Sequence, residues 1–449
     1  MSIGYVTILI PSFTSMRSNE TIFMDETETS WLSAITYITC LIGSMVSGVI
    51  TESFGRKRSM TIFTIPFLIS WISFNYATKL WHIFAALFLH GLTNGLVEAP
   101  ILVYVAEVTE PHLRGMLSVM SSQAVILGIF LEFIIGSFLP WKTAALVTSI
   151  VPVVNFCLLL LVPETPYWLL LHNKENEARK SLAWLRGASS CENGNYSTRP
   201  LKAVVQRYLQ KSFLWPLCLV AALFLLTSFC GVVILQTYGV IIIATLKVPM
   251  NSYYATVLMG LSQLLGSILC VYLVRLCGKR ILALISFFGI CVCNTCIGAY
   301  AYINNIMRLD FADDRASSLS ENHQWIPLLL ITLLVFIGNC GVRSLPWAII
   351  GEIFSNETRA MGCGFAASTY YIFTFAANKV YLSMISSLTF PGVHWSYAFV
   401  CAFGVIFVYF ALPETEGKTL QEISQHFTGH TRLSNKVKRK NASIQIQVT

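Results

Sequence analysis

The chain has 449 residues, of which 55% are hydrophobic and only 12% are charged, with a formal net charge of +8. An ordinary soluble domain carries roughly 25% charged residues, so this composition excludes a soluble globular protein. The apolar runs are long and continuous, as in the uncharged stretch 31–51, whereas a membrane β-barrel has short segments of alternating polarity. The composition therefore predicts an all-α membrane protein.

Eleven apolar segments are long enough to span a bilayer, which takes about 20 residues each. In chain order they lie near 31–51, 60–77, 80–104, 115–139, 143–162, 215–245, 253–274, 281–303, 325–350, 360–388 and 395–412. The apolar segment Ile3–Phe13 precedes them and has about half of the required length. We interpret it as a short first helix, and we expect a truncated gene model to be the reason. With this segment the chain has twelve predicted spans.

The basic residues predict the orientation of the spans. The loops on one side, together with the tail, hold 22 of the 30 Lys and Arg residues, and the loops on the other side hold six. Basic loops of membrane proteins face the cytoplasm, so both termini are expected there. Because these residues set the orientation, no nucleic-acid partner is expected. Asn19 is the only Asn-x-Ser/Thr match on the outer side, and it is the expected glycosylation site.

One long polar stretch, which begins at Glu164, divides the spans into six and six. Its parts Lys174–Leu185 and Leu201–Leu209 have the apolar spacing of helices. The predicted divisions are an amino-terminal six-helix half (1–163), a cytoplasmic helical linker (164–212), a carboxy-terminal six-helix half (213–413) and a cytoplasmic basic tail (414–449).

Three charged motifs recur at equivalent places in the two halves. A Glu and an Arg seven residues apart follow spans four and ten, Pro-Glu-Thr follows spans six and twelve, and Gly with two basic residues follows spans two and eight. These residues are Glu107, Arg114, Glu352 and Arg359; Glu164 and Glu414; and Gly55, Arg56, Lys57, Gly278, Lys279 and Arg280. Parallel six-helix repeats with a solute site between them are typical of transporters. The charges are expected either to form a gate or to anchor the helices at the membrane surface.

Several motifs resemble the sugar porter family of the major facilitator superfamily over nearly the whole chain. The segment 48–57 resembles the family loop after the second helix, and 163–169 resembles its PESPRWL motif. The segment 413–420 resembles PETKGKTL, and 341–354 resembles the tenth-helix run GxGxxPW…EIFP. The resemblance implies the major facilitator fold of two six-helix bundles. It also implies facilitative transport of a hexose or trehalose by alternating access between the two halves.

Other positions refine this resemblance. Phe373-Thr374-Phe375 followed by Lys379 is most similar to the insect facilitated trehalose transporters. The helix-one acid and helix-four Arg of proton-coupled members align with Val6 and Leu87, which favours facilitated diffusion over proton symport.

The sugar-binding positions implied by the resemblance depart from the family pattern. Three amides of the seventh helix are replaced by Thr227, Ser228 and Val233. The other residues expected at the site, whether they match the family or replace its residues, are Ser122, Gln123, Tyr238, Gln263, Trp347, Tyr370 and Tyr371. With fewer amides and more phenols, the site is suited either to a polyol that binds by stacking and hydroxyl contacts or to a different solute.

Arg343 stands where the family has a Gly, four residues before Trp347. On a continuous helix this spacing places both side chains on one face. A charge in hydrocarbon costs about 2.5–3.5 kcal/mol unless it is paired or faces water. We therefore expect Arg343 either to face the translocation path and favour an anionic or strongly hydrogen-bonding solute, or to form a gate ion pair with Glu98 or Glu132.

The gate motifs also differ from the family. Glu52 replaces an Asp, and Arg275 stands where the second half has an Asp, so fewer ion pairs between the halves are expected to hold the outward-facing state.

The chain has no nucleophile with a base, no zinc-ligand spacing and no phosphate-binding loop, so we expect no enzyme, cofactor or metal. We expect a multi-pass protein of the plasma membrane with a small-molecule sugar substrate and no obligate protein partner. The alternatives are a carrier of a non-sugar or anionic small solute, and a non-transporting sugar receptor or degenerate copy.

Overall fold

A computed structural model describes residues 1–14, 24–109, 114–186, 211–309, 324–354, 359–418 and 420–427. The regular elements in these ranges are helices. The first nine are α1 (Ser2–Thr14), α2 (Glu26–Phe54), α3 (Arg56–Asn75), α4 (Leu80–Val108), α5 (Arg114–Phe138), α6 (Trp141–Thr148), α7 (Ile150–Leu161), α8 (Pro166–Leu171) and α9 (Glu175–Arg186). The others are α10 (Lys211–Ser228), α11 (Val232–Thr245), α12 (Ser252–Cys277), α13 (Lys279–Ile303), α14 (Ile326–Cys340), α15 (Leu345–Ile353), α16 (Arg359–Ala411) and α17 (Leu420–Phe427).

The twelve apolar segments each fall on one helix or on two consecutive helices. Within the described ranges, eight helical stretches are long and apolar enough to cross a membrane. α1 and the part of α5 from Gln123 are apolar but shorter. α3 begins with three consecutive basic residues, which follow Gly55. The helix expected at Lys174–Leu185 is observed as α9, whereas Leu201–Leu209 and the glycosylation candidate Asn19 lie outside the described residues.

Three of the predicted spans are each built from two consecutive helices, and the span at 143–162 divides at Ser149. The span at 215–245 divides into α10 and α11 at Gly231, whose φ is +89°. The span at 325–350 divides into α14 and α15 at residues 341–344, which form turns. Hydrophobic periodicity does not detect such breaks because the apolar character continues through them.

The break at Gly231 is supported by side chains from two other helices. Asn294 Nδ2 lies 3.2 Å from the carbonyl oxygen of Cys230, so it donates to a backbone group that the break leaves free. Its Oδ1 lies 3.0 Å from His394 Nδ1. An unpaired backbone group is costly inside a membrane, so this network stabilises the irregular segment.

The last long helix, α16, is also interrupted. Thr389 has φ +67°, which separates two helical stretches that correspond to the eleventh and twelfth predicted spans. The Phe390 amide donates to the Met307 carbonyl at 2.9 Å, so the loop after α13 holds the start of the second stretch.

The helices pack in two groups. In the amino-terminal half, α4 packs against α2 and α3, α1 against α5, and α3 against α6 and α7. In the carboxy-terminal half, α12 and α13 pack against α14, while α16 packs against α10 and α13. The two halves meet mainly through α2 with α16, α5 with α12, and α1 with α11. A solute that crosses the molecule between the halves must pass along these three contacts.

We predict that Gly231→Ala lowers the free energy of unfolding, because a left-handed φ costs a residue with a Cβ about 1–2 kcal/mol. The added Cβ would also lie 2.8 Å from Tyr397 Cδ2. The matched control is Gly364→Ala in α16, where a Cβ meets no atom within 4 Å. Thermal unfolding of the purified variants in detergent measures the difference. Equal midpoints for the two variants would contradict the assigned role of Gly231.

Candidate functional site

A carboxylate caps the amino-terminal end of α3. Glu164 Oε1 accepts from the backbone amides of Arg56 and Lys57 at 2.9 and 3.0 Å, and its Oε2 accepts from the amide of Arg58 at 3.3 Å. A negative charge at this place pairs with the free N–H groups and with the positive end of the helix dipole. Gly55 has φ +97°, and a Cβ there would lie 2.6 Å from Glu164 Oε2. The glycine therefore allows the carboxylate to approach the helix.

The carboxy-terminal half repeats this geometry at the start of α13. Glu414 accepts from the backbone amides of Lys279 and Arg280 at 3.1 and 3.0 Å. Gly278 precedes them with φ +86°, as Gly55 does in the first half. The recurrent sequence motifs thus form the same structure twice.

The first basic residue of each motif forms an ion pair within its own half. Arg56 Nη2 lies 2.7 Å from Glu107 Oε1, and both side chains are largely buried. Lys279 Nζ contacts Glu352 and lies 3.3 Å from Glu416 Oε2. Among the residues that the structure describes, no ion pair joins the two halves.

The remaining gate candidates do not extend this network. Glu52 and Arg275 are exposed, and Lys57 Nζ donates to the Leu160 carbonyl at 3.1 Å. The side chains of Arg114 and Arg359 lie outside the described part of the structure.

Several contacts between the halves lie at the predicted extracellular end. The Tyr238 hydroxyl donates to Ser33 Oγ at 2.7 Å, and Ser30 Oγ donates to the Lys379 carbonyl at 2.9 Å. Lys379 Nζ lies 4.0 Å from the centre of the Trp31 ring. Since α2 begins and the first stretch of α16 ends at this level, these contacts close the predicted extracellular end.

An aromatic cluster lies closer to the middle of the molecule. The Trp347 ring centre is 5.1 Å from that of Phe224 and 5.2 Å from that of Tyr370. Tyr371 is next in the cluster, and its hydroxyl donates to Glu98 Oε2 of the other half at 2.8 Å. Three of the predicted site residues, Trp347, Tyr370 and Tyr371, are therefore brought together.

A pair of amides is the polar feature that the sequence analysis missed. Gln236 Nε2 donates to Gln263 Oε1 at 2.8 Å, and both residues are completely buried. Gln236 Oε1 and Gln263 Nε2 have no hydrogen-bond partner. The sequence analysis did not single out Gln236. An amide within the mostly apolar run of α11 is a signal that could have identified it.

Other predicted site residues already have protein partners. Thr227 Oγ1 lies 2.8 Å from the Leu223 carbonyl and 3.1 Å from that of Val342, so it ties α10 to the break before α15. Ser228 Oγ lies 3.2 Å from Thr374 Oγ1. Gln123 exchanges two hydrogen bonds with Ser267, through its Nε2 to the carbonyl at 2.9 Å and through its Oε1 from the hydroxyl at 2.6 Å.

The Gln123 contact joins α5 to α12. The neighbouring side chain of Ser122 is not among those that the structure describes.

Arg343 lies in the turn between α14 and α15. The assumption of a continuous helix from Arg343 to Trp347 was wrong, because Gly341–Ser344 interrupt it. The gate ion pair is not formed in this structure either. Glu98 accepts from Tyr371, and Glu132 accepts from Thr148 Oγ1 at 3.1 Å.

Comparison with solved structures identifies the fold. A partially occluded inward-open form of the xylose transporter XylE from E. coli matches with a TM-score of 0.73 at 18% identity, covering 93% of this chain and 95% of that chain. The proton:xylose symporter XylE bound to 6-bromo-6-deoxy-D-glucose, a protein of the major facilitator superfamily, matches with a TM-score of 0.69 at 18% identity, covering 95% and 97%. The chain therefore has the major facilitator fold.

Sequence comparison identifies the family. The profile of the family "Sugar (and other) transporter" matches residues 2–427, and the chain belongs to this family. The facilitated trehalose transporter Tret1 of Polypedilum vanderplanki is 27% identical over 443 residues, which are 95% of this chain and 85% of that protein. These relatives and structural neighbours are transporters and not enzymes.

We predict that Glu414→Gln lowers the free energy of unfolding by about 1–3 kcal/mol, because the backbone amides of Lys279, Arg280 and Glu416 lose a charged acceptor. Glu177→Gln is the control. Glu177 is exposed and forms only a surface pair with Lys174 at 3.5 Å, so its loss is expected to have little effect. Chemical unfolding of the purified variants compares them. A loss at Glu177 as large as the loss at Glu414 would contradict the assignment.

We predict that Tyr238→Phe opens the predicted extracellular end, because the hydrogen bond to Ser33 is lost. Tyr381→Phe is a matched control. Its ring centre lies 4.8 Å from that of Tyr238, but its buried hydroxyl has no partner. Spin labels at the exposed positions Thr27 and Val380 report the distance between α2 and α16. A longer distance is expected only for Tyr238→Phe. Equal distances in both variants would contradict the closing role of the hydrogen bond between Tyr238 and Ser33.

Proposed function

We propose that this protein is a facilitative sugar carrier for a hexose or trehalose and that it works by alternating access. The observation that carries the proposal is the buried amide pair of Gln236 and Gln263, with one unpartnered acceptor and one unpartnered donor. Buried polar groups without partners are costly, and a solute with several hydroxyl groups supplies both kinds of partner. The aromatic cluster of Trp347 and Tyr370 offers apolar faces on which a sugar ring stacks.

The proposed substrate site combines these groups with the other residues predicted from the sequence. In this proposal Gln236, Gln263 and Trp347 contact the solute directly. Thr227, Ser228 and Gln123 act through the helices that they join, because their polar groups are occupied by protein partners.

The mechanism follows from the strength of the contacts. The ion pairs Arg56–Glu107 and Lys279–Glu352 hold each half together as a unit. The hydrogen bonds between Tyr238 and Ser33 and between Ser30 and the Lys379 carbonyl join the halves at the predicted extracellular end. Opening that end requires only these weaker contacts to break, so the halves rock about a solute bound between them.

We infer that transport is not coupled to protons through the first and fourth helices. The side chains at the two relevant positions, Val6 and Leu87, are apolar and buried, at 4% and 1% exposure. Neither position carries a group that gains or loses a proton, so the sugar gradient alone drives net flux.

We also infer the placement of the chain in the cell. The excess of basic residues in alternate loops supports an orientation with both termini in the cytoplasm, and we propose the plasma membrane as the location. We retain the divisions 1–163, 164–212, 213–413 and 414–449 as proposals, together with the absence of enzymatic activity and of an obligate protein partner.

We predict saturable uptake of labelled glucose or trehalose by cells that express the chain, and the same rate with and without a pH gradient. Gln263→Leu is expected to reduce uptake about tenfold or more, since the hydrogen bonds of a sugar-binding amide are lost. The control is Ser262→Ala, the neighbouring half-buried residue, whose hydroxyl bonds to the Leu258 carbonyl of its own helix. No uptake by the unaltered chain, with its surface expression confirmed, would contradict transport and favour a receptor.

A further inference from the structure

We propose that Arg343 is a specificity-determining residue that selects sugars carrying an anionic group, so that the preferred substrate is a sugar acid. This inference rests on the proposed function and names the substrate class of the same site. It starts from a cation in the turn between α14 and α15 that forms no ion pair with the described residues.

The turn that carries Arg343 is fixed by hydrogen bonds. The Arg343 amide donates to the Gly338 carbonyl at 3.0 Å, and the Val342 amide donates to Ser286 Oγ at 3.1 Å. Ser344 Oγ donates to the Asn339 carbonyl at 2.9 Å. A side chain that starts from such a turn is held in place, as a specificity residue must be.

The guanidinium group is not needed to cap the end of α14. The carbonyl groups of Ile337, Gly338 and Asn339 accept hydrogen bonds from Ser286, from the Arg343 amide and from Ser344. The Val342 carbonyl accepts from Thr227. The usual structural role of an arginine after a helix is therefore already filled by other donors.

No acidic group neutralises Arg343 in the part of the chain that the structure describes. Its Nη1 is buried and has no hydrogen-bond partner. Glu98 bonds to Tyr371, and Glu132 bonds to Thr148. Within the described ranges no carboxylate lies within ion-pair distance of the guanidinium.

The turn that carries Arg343 adjoins groups of the proposed sugar site. The Val342 carbonyl accepts from Thr227 of α10, and Trp347 in the first turn of α15 packs against Tyr370. Tyr371, next to Tyr370, donates to Glu98 of the amino-terminal half. Arg343 thus lies at an irregular segment of the carboxy-terminal half, beside the aromatic cluster that reaches the other half.

The start of α15 strengthens the attraction for an anion. This helix begins at Leu345, two residues after Arg343, and the positive end of its dipole adds positive potential at the same place. When the halves close around a neutral sugar, water leaves and the cation remains unpaired. A carboxylate on the sugar pairs with the planar guanidinium through two parallel hydrogen bonds and removes this penalty.

The test uses the purified full-length chain in proteoliposomes. Labelled glucose is exchanged across the membrane in the presence of unlabelled glucose, glucuronate or glucose 6-phosphate. We expect glucuronate to compete at about a tenfold lower concentration than glucose, because one charged hydrogen-bonding pair increases the affinity by about that factor. The phosphate arm distinguishes a carboxylate from a phosphate as the preferred anion.

Three variants test whether Arg343 causes the preference for glucuronate. Arg343→Gln is expected to remove the preference for glucuronate while leaving exchange of glucose, and Arg343→Lys is expected to retain part of it. Lys379→Gln is the matched control, since Lys379 is the other intramembrane cation and lies over Trp31. It is expected to leave the ratio of the two sugars unchanged.

The outcomes separate the inference from the proposed function. Equal competition by glucose and glucuronate in the unaltered chain, or an unchanged ratio in Arg343→Gln, would overturn the inference while transport stands. If no sugar, neutral or acidic, is exchanged or stabilises the protein against heat, the proposed function fails. If Arg343→Gln does not fold, the ratio in the unaltered chain and in Arg343→Lys decides the question.

Discussion

Polar groups inside a membrane must find partners within the protein. In the described part of this chain the ion pairs lie within each half or the linker, whereas hydrogen bonds join the two halves. The ion pairs of the described residues lie within one half or within the linker, as in Arg56–Glu107 and Lys279–Glu352. The halves are joined instead by hydrogen bonds, such as that between Tyr238 and Ser33 and the two between Gln123 and Ser267. Each half is therefore stable as a unit, while the interface between the halves is held by contacts that can be exchanged at low cost. This difference is the physical basis of alternating access in our account.

The same constraint explains why the candidate site is built at helix breaks. At Gly231 and at residues 341–344 the backbone leaves the helix, and its freed groups are satisfied by Asn294, Ser286 and Thr227. Irregular backbone is tolerated at membrane depth only where it is buried in protein or lines a polar cavity. The second break places Arg343 just before α15, which carries Trp347 of the aromatic cluster. The segments that depart from regular structure are thus those on which recognition of the solute depends.

Much of this architecture could be predicted from the sequence, because the features concerned are local. Long apolar runs predict the spans, and the repeated Pro-Glu-Thr and Gly-basic motifs predict that Glu164 and Glu414 have equivalent places. The binding groups were harder to predict, since their roles depend on distant partners. Thr227 was expected at the substrate, but its hydroxyl lies beside the Val342 carbonyl 115 residues away. The pairing of Gln236 with Gln263 across two helices leaves no signal in local spacing, and the turn at Arg343 interrupts the helical spacing that was assumed for it.

The central claim is that a sugar-bound carrier alternates between two conformations without another driving ion. Trans-stimulation tests it most directly: efflux of a labelled hexose from proteoliposomes is measured with and without unlabelled hexose outside, at equal pH. A carrier whose loaded form reorients faster than its empty form shows faster efflux when external sugar is present. Our account predicts this acceleration and its saturation with external sugar. Efflux that rises linearly with the gradient and does not respond to external sugar would contradict alternating access.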